Sequence, residues 1–322
     1  SVDAAGNKVE DTGLLVIDTF AEIAGDLDAS SDSGDKGDHK TSDKTPTFSG
    51  EGEVDAKVFI TINEKEYETI VGEDGLWSIT VPEVDALEDD VYSYTIKTID
   101  VAGNVSTIKK SIEIDSVVTL TAEMIADTGH DNKDGITSDT QPTFVGTMEI
   151  GAAISITVNN VTYNQSNGIN INPDGTWRFT VPAKDALPDG SFPWVVNIVD
   201  AAGNTASVEG VVVVDTTDPN ELTVELTNGS VADQSISKFP KPEFGGRIEV
   251  GTQLEVRVNG KLQPSNLITL DDEGNWTFVA GEVLEDNDYI FEFTSTDDAG
   301  NSQTIRHNLT IDTSTTVEGG LD

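Results

Sequence analysis

Carboxylates recur in this chain at matched positions, and their spacing is the first sign of chemistry. Aspartates end a valine- or isoleucine-rich stretch at Asp18, Asp115, Asp215 and Asp312, at intervals of 97, 100 and 97 residues. A second set opens the phrase D-x-A-G-N at Asp3, Asp100, Asp200 and Asp297, with the same intervals. A glutamate follows a glycine-rich turn at Glu53, Glu149 and Glu249. Acidic side chains in register along a chain offer hard oxygen donors, the ligand type that calcium takes six to eight at a time, whereas loops without cysteine and poor in histidine do not suit zinc.

Other landmarks keep the beat. The phrases TPTFSG, QPTFVG and KPEFGG begin at Thr45, Gln141 and Lys241, and the turns EDGLW, PDGTW and DEGNW end at Trp77, Trp177 and Trp276. Self-similarity at a fixed period marks an array of one repeated unit. The expected divisions are residues 1–18, the end of a preceding repeat; 19–115, 116–215 and 216–312, three complete repeats; and 313–322, the start of a further repeat or a tail.

Within a repeat, alternation at period two dominates. The first predicts seven strands, Phe20–Ile23, Thr47–Gly50, Lys57–Asn63, Tyr67–Val71, Leu76–Val81, Val91–Ile99 and Val105–Ile114, separated by glycine- and asparagine-bearing turns. Seven short strands in about a hundred residues are the pattern of an immunoglobulin-type sandwich. The expected fold is therefore all-β, a tandem array of immunoglobulin-like seven-stranded β-sandwiches. Trp77, Trp177 and Trp276, with Tyr92, Phe192 and Tyr289, recur as core or corner aromatics. Trp194, whose counterparts are Tyr94 and Phe291, and the FEF run at Phe291 are the aromatics that a glycan- or receptor-binding repeat would use instead.

An up-and-down strand count places the D-x-A-G-N turn and the glutamate loop at the same end of a sandwich, facing the linker from the repeat before it. Three carboxylates then meet at each junction: Asp18, Glu53 and Asp100; Asp115, Glu149 and Asp200; Asp215, Glu249 and Asp297. Like charges this close repel, and a divalent cation, Ca2+, resolves the conflict. The competing reading is that these residues shape turns and that the linker acid is solvated.

A second acidic stretch lies between the first two strands. It holds Asp26, Asp28, Asp32, Asp35, Asp38 and Asp43 in the first repeat, Asp127, Asp131, Asp134 and Asp139 in the second, and only Asp233 in the third. A separate loop calcium site and plain solvated loop acids are both open. The EF-hand pattern fails, because Pro142 stands where its bidentate glutamate would be.

Charge and composition narrow the partners. With 59 acidic against 18 basic residues and a net charge of −41, the chain repels phosphate backbones and anionic lipid, so neither nucleic acid nor membrane insertion is expected. Absence of cysteine removes disulfides and thiol nucleophiles. His39, His130 and His307 fall at unrelated repeat positions, and no G-x-S-x-G or H-E-x-x-H phrase occurs, so no enzyme is expected. Ser1 falls just before a turn motif, as in a segment of a longer chain.

The V-D-T linker, the G-x-x-E-x-G loop, the D-G-x-W turn and D-x-A-G-N together resemble the bacterial immunoglobulin-like repeats of giant type I-secreted adhesins. The resemblance covers all three repeats and the stub before them. It implies calcium at the junctions, held through the three carboxylate triples, and a secreted protein at the bacterial cell surface that serves adhesion and virulence. The partners it implies are neighbouring repeats of the same chain and a host-cell glycan or protein receptor. Two roles follow, a calcium-rigidified extender segment or a distal receptor- or glycan-binding module.

Overall fold

A computed structural model describes residues 4–8, 17–125, 127–229 and 235–314. The expected stub strand before Asp18, with Asp3, therefore lies outside the described residues for the most part, as do Asp233 and the segment after 314. The chain forms two compact units, one built on the first repeat with residues 151–153 and 198–206 of the second, the other on the rest of the second repeat and the third.

The first repeat runs β1 (Ile23–Leu27), β2 (Lys40–Thr41), β3 (Thr47–Gly52), β4 (Lys57–Ile62), β5 (Lys65–Ile70), β6 (Leu76–Thr80), β7 (Asp90–Ile99) and β8 (Val105–Ile114). One sheet has the order β1-β3-β6 and the other β2-β8-β7-β4-β5. All pairings are antiparallel except β2 on β8, where Lys40 faces Glu113 and Thr41 faces Ile114. The third repeat has the same larger sheet, running Ile236–Ser237, Ser302–Ile311, Asn287–Thr296, Gln253–Val258, Lys261–Leu262, and the second has the same order, while the smaller sheet of each gains a fourth strand, Asn170–Ile171 in the second and Ile268–Leu270 in the third. The all-β, tandem sandwich architecture is thus as the alternation predicts.

Two details differ from the sequence expectation. The two-residue parallel strand, present in every repeat, is too short to show alternation. The first strand begins at Ile23 rather than Phe20, because tertiary packing defines it rather than propensity. Gly25 faces Gly50 across β1 and β3. A Cβ on Gly25 would lie 2.8 Å from Cη2 of Trp77, and one on Gly50 would lie 2.6 Å from Cα of Gly25. The paired glycines let the two backbones close under the indole, whose Nε1 donates to the Ala24 carbonyl at 3.2 Å.

Inward-facing side chains of both sheets form each core. In the first they include Phe48, Ile60, Trp77, Tyr94 and Ile96, all buried. Trp177 and Trp276 are each 2% exposed, so the repeating tryptophans are core residues. Tyr92 and Tyr289 donate to the carbonyls of Glu88 and Glu285 and brace the corner before their strands. Trp194 packs on Phe144 at 5.2 Å between ring centroids, and Phe291 on Phe244 at 4.8 Å. Both are buried, which removes them as a receptor-facing aromatic patch.

The neighbours of this aromatic position change with it. Beside Trp194 stands Gly210, where an added Cβ would lie 2.5 Å from Cζ2 of the indole. In the first repeat Lys110 faces Tyr94 across the sheet, and both reach Asp26: Lys110 Nζ at 2.6 Å and the Tyr94 hydroxyl at 3.0 Å, with His39 Nε2 at 2.8 Å. Burial opposes the Asp26 charge, but the hydrogen bonds from Lys110, the Leu27 amide, His39 and Tyr94 outweigh it and lower its pKa from 3.8 to about 2. Because folding lowers this pKa, the unfolded chain binds the proton more tightly, and the stability Asp26 contributes above about pH 4 is lost as pH falls toward 2. Denaturant unfolding of the parent and Asp26→Asn between those limits should show a stability gap that narrows steadily toward acid. A gap independent of pH would mean that the network does not hold the charge.

Candidate metal centre

The D-x-A-G-N phrase folds into one turn three times. Asp100 accepts from the Asn104 amide through Oδ1 at 2.8 Å and from Asn104 Nδ2 through Oδ2 at 2.7 Å. Asp200 with Asn204, and Asp297 with Asn301, repeat both bonds at 2.8 to 2.9 Å. Gly103, Gly203 and Gly300 take φ of 92°, 87° and 86°, a left-handed conformation that glycine adopts without strain. Burial works against the Asp100 charge, yet the bonds from Asn104, Gly103 and Ala102 lower its pKa. The turn therefore presents an ionised carboxylate at the sandwich end.

The linker and the glutamate loop bring two more to it. Asp18 accepts from the Phe20 amide at 3.2 Å, and Glu53, in the loop between β3 and β4, accepts from the Glu22 amide at 2.6 Å. One carboxylate oxygen from each of Asp18, Glu53 and Asp100 lies within 4.8 Å of the others. Asp100 is 6% exposed. Among the described residues no lysine, arginine or histidine forms an ion pair with any of the three. Three acids gathered without a basic partner form a donor set suited to a hard divalent cation.

Asp115 and Asp200 repeat part of this geometry. Asn204 Nδ2 donates both to Asp200 Oδ2 and to the Asp115 carbonyl, each at 2.8 Å, so one asparagine ties the turn to the linker. Burial, and then the charges of Asp200, Asp89 and Glu113, raise the Asp115 pKa. Glu149 holds, after Met148, the place that Glu53 holds after β3; Met148 itself bridges Leu120.

The third triple is looser. Asn301 ties its turn to the Asp215 carbonyl at 2.8 Å in the same way. However, Asp215 accepts from the Thr217 amide and Glu249 from the Asn220 amide, and among the described residues Asp215, Glu249 and Asp297 are not gathered within 4.8 Å. Asn220 is five residues past Asp215, whereas Glu22 is four past Asp18. The carbonyl that abuts the equivalent sandwich glycine comes six residues after Asp18 and Asp115, at Ala24 and Thr121, but eight after Asp215, at Thr223, so the third linker is two residues longer.

The acidic loops separate into turn formers and two exceptions. Asp131, Asp134 and Asp139 each accept from the amide two residues on, as Asp28, Asp38 and Asp43 do in the first repeat. With Asp127 they form no group of three within 4.8 Å among the described residues. Asp127 and Asp32 differ from the rest. Oδ2 of each accepts from a glycine amide, Gly135 and Gly37, while Oδ1 is buried without a hydrogen-bond partner. An unsatisfied buried carboxylate oxygen is costly, and burial together with the Asp134 charge raises the Asp127 pKa. Sequence reasoning grouped all these acids; their depth in the loop, which separates them, leaves no mark in residue type.

Among solved structures, the chain is similar to one from a 1.5-MDa bacterial ice-binding adhesin, with 22% identity, 91% of this chain and 98% of that chain covered, and a TM-score of 0.35. It is similar to a Ca2+-stabilized adhesin of an Antarctic bacterium, with 24% identity, coverage of 97% and 79%, and a TM-score of 0.33. A tetra-tandem repeat from the extending region of a large adhesion protein is similar at 19% identity, coverage of 98% and 80%, and a TM-score of 0.31. No curated protein sequence matches significantly. No helix among the described residues is long and apolar enough to cross a membrane. Residues 20–116, 116–216 and 219–313 each match the family of bacterial Ig-like domains, and the chain belongs to that family.

Proposed function

We propose that this chain is a calcium-rigidified extender segment of a giant secreted surface adhesin, a structural rather than a catalytic part. The observation that carries the reading is the convergence of Asp18, Glu53 and Asp100 from a linker, a loop and a hairpin turn, with oxygens within 4.8 Å. Bound there, Ca2+ would supply positive charge and a coordination shell that joins the three segments. Asp100 is held ionised by its turn, Glu53 is aimed by the Glu22 amide, and Asp18 fixes the chain entering the sandwich. Asp115, Glu149 and Asp200 are proposed as a second such set, and Asp215, Glu249 and Asp297 as a third that must close around its ion. Asp127, and with it Asp131, Asp134 and Asp139, is the proposed loop site, resting on the unpartnered Asp127 oxygen.

Extracellular calcium modules bind with dissociation constants of roughly 10⁻⁴ to 10⁻³ M. Such sites fill outside a cell and empty inside it, which suits a chain that is exported unfolded and stiffens at the surface. The receptor-binding alternative loses its aromatic candidates to the core, because Trp194 and Phe291 are buried.

Chelating calcium should loosen the links between sandwiches while leaving each one folded. Small-angle scattering with and without chelator is expected to show a smaller maximum dimension and a raised high-angle plateau, with an unchanged sheet signal in circular dichroism. Identical scattering profiles would defeat the extender reading.

Glu53→Gln tests the ligand set itself. The amide keeps an oxygen for the Glu22 N–H but removes one of three like charges. In chelator its thermal midpoint is expected to equal or exceed that of the parent; in millimolar calcium it should gain less than the parent does. An equal calcium response would reduce Glu53 to a partner of the Glu22 amide.

A further inference from the structure

The same hairpin turns carry a second contact that no carboxylate takes part in. In the compact unit built on the first repeat, the Ser33 hydroxyl donates to the Ala202 carbonyl and the Asp35 amide donates to the Ala201 carbonyl at 2.9 Å. Gly34 between them has φ +61°, and a Cβ there would meet the Ala201 carbonyl and lie 2.5 Å from the Gly203 nitrogen. Gly203 answers it, for its own Cβ would lie 2.8 Å from the Gly34 nitrogen. In the other unit the pattern returns. The Thr128 hydroxyl and the Ser138 amide donate to the Ala299 carbonyl, the latter at 3.2 Å. Gly129, with φ +97°, abuts the Asp298 carbonyl, and a Cβ on Gly300 would lie 2.7 Å from the Gly129 nitrogen.

The three D-x-A-G-N turns provide their own control. Those at Asp100, Asp200 and Asp297 share φ within a few degrees and the same internal hydrogen bonds, but among the described residues only two have a loop against them. Ala202 and Ala299 are each 1% exposed. Ala102 is exposed, and a Cβ on Gly103 would meet nothing within 4 Å. The burial therefore comes from the docked loop and not from the turn.

We propose that the loop ahead of the short parallel strand is a latch, a hydroxyl–glycine pair that recognises the x-A-G carbonyls and glycine of the following repeat's D-x-A-G-N turn. Ser33-Gly34 and Thr128-Gly129 are the two latches, and a D-x-A-G-N turn of a neighbouring repeat is the partner they fit. Recognition rests on backbone approach: any side chain at either glycine holds the loop and the turn apart. The contact is separate from the carboxylate groups, so it stands whether or not these bind calcium.

Matched glycines in one loop test this. Gly37, like Gly34, has a positive φ, +86°, but a Cβ on it would meet nothing within 4 Å. In the full chain at saturating calcium, amide hydrogen exchange in the 198–206 hairpin should rise at least tenfold in Gly34→Ala and stay near the parent in Gly37→Ala. Calcium binding isotherms should be alike in the two. Equal exchange in both variants, raised or not, overturns the proposal. If Gly34→Ala does not fold, the turn side decides: Gly203→Ala should free the 30–38 loop to exchange, and Gly103→Ala, at the same φ with nothing near, should leave it protected. Protection kept in Gly203→Ala overturns the latch.

Discussion

An aspartate at the head of a five-residue hairpin turn constrains the end of every sandwich, and at the first junction that aspartate is buried and ionised. Its two oxygens are committed to one asparagine four residues on, which fixes the turn, and the turn then sets where the charge points. Removing the carboxylate would take the acceptor from the asparagine backbone amide, and at the first junction no basic side chain neutralises it, since the neighbours gathered there are acids too. The fold has accepted a like-charge group as the cost of a rigid turn. That conflict makes a cation the natural completion, and it explains why the linker and the glutamate loop, and no lysine, approach the first turn.

The asparagine extends the same device. Asn204 and Asn301 each use one side-chain amine on two acceptors, the aspartate of their own turn and the linker carbonyl of Asp115 or Asp215. The linker is thus tied to the turn by a neutral hydrogen bond. Such a bond is worth roughly 1 kcal/mol. It is enough to orient a linker and too little to hold it, so the proposed stiffness requires additional contacts: the acid set, the loop against the turn, or both.

Much of this was legible in the sequence because periodicity reports position. Alternation located the long strands, the D-G-x-W turns located the core tryptophans, and the strand count put Asp18, Glu53 and Asp100 at one end of a sandwich. What was not legible depended on approach distance. Gly25 and Gly50 carry no mark in the alternation, yet their lack of a side chain is what admits Trp77 between the sheets. Ser33 and Gly34 lie among loop aspartates, and nothing in residue type marks them as contact residues. The acids of the loops looked equivalent, although among the described residues Asp32 and Asp127 alone of them bury an unpartnered oxygen. The third junction shows the limit in the other direction: residue types at the right interval are not gathered where the linker is two residues longer.

Variation among the repeats is confined in an informative way. At one core position the aromatic changes from Tyr94 to Trp194 to Phe291, and its surroundings change with it, Gly210 making room for the indole and Asp26 with Lys110 satisfying the phenol. The turn, by contrast, keeps its aspartate, glycine and asparagine in every copy. A core tolerates substitution when volume and hydrogen bonding are rebalanced locally. A turn whose backbone is itself the surface being recognised has no such freedom, because a carbonyl cannot be repacked and a left-handed glycine cannot gain a side chain without moving the segment it touches. Each sandwich can therefore drift in its interior while its ends stay interchangeable, which is what an array assembled from copies of one unit requires.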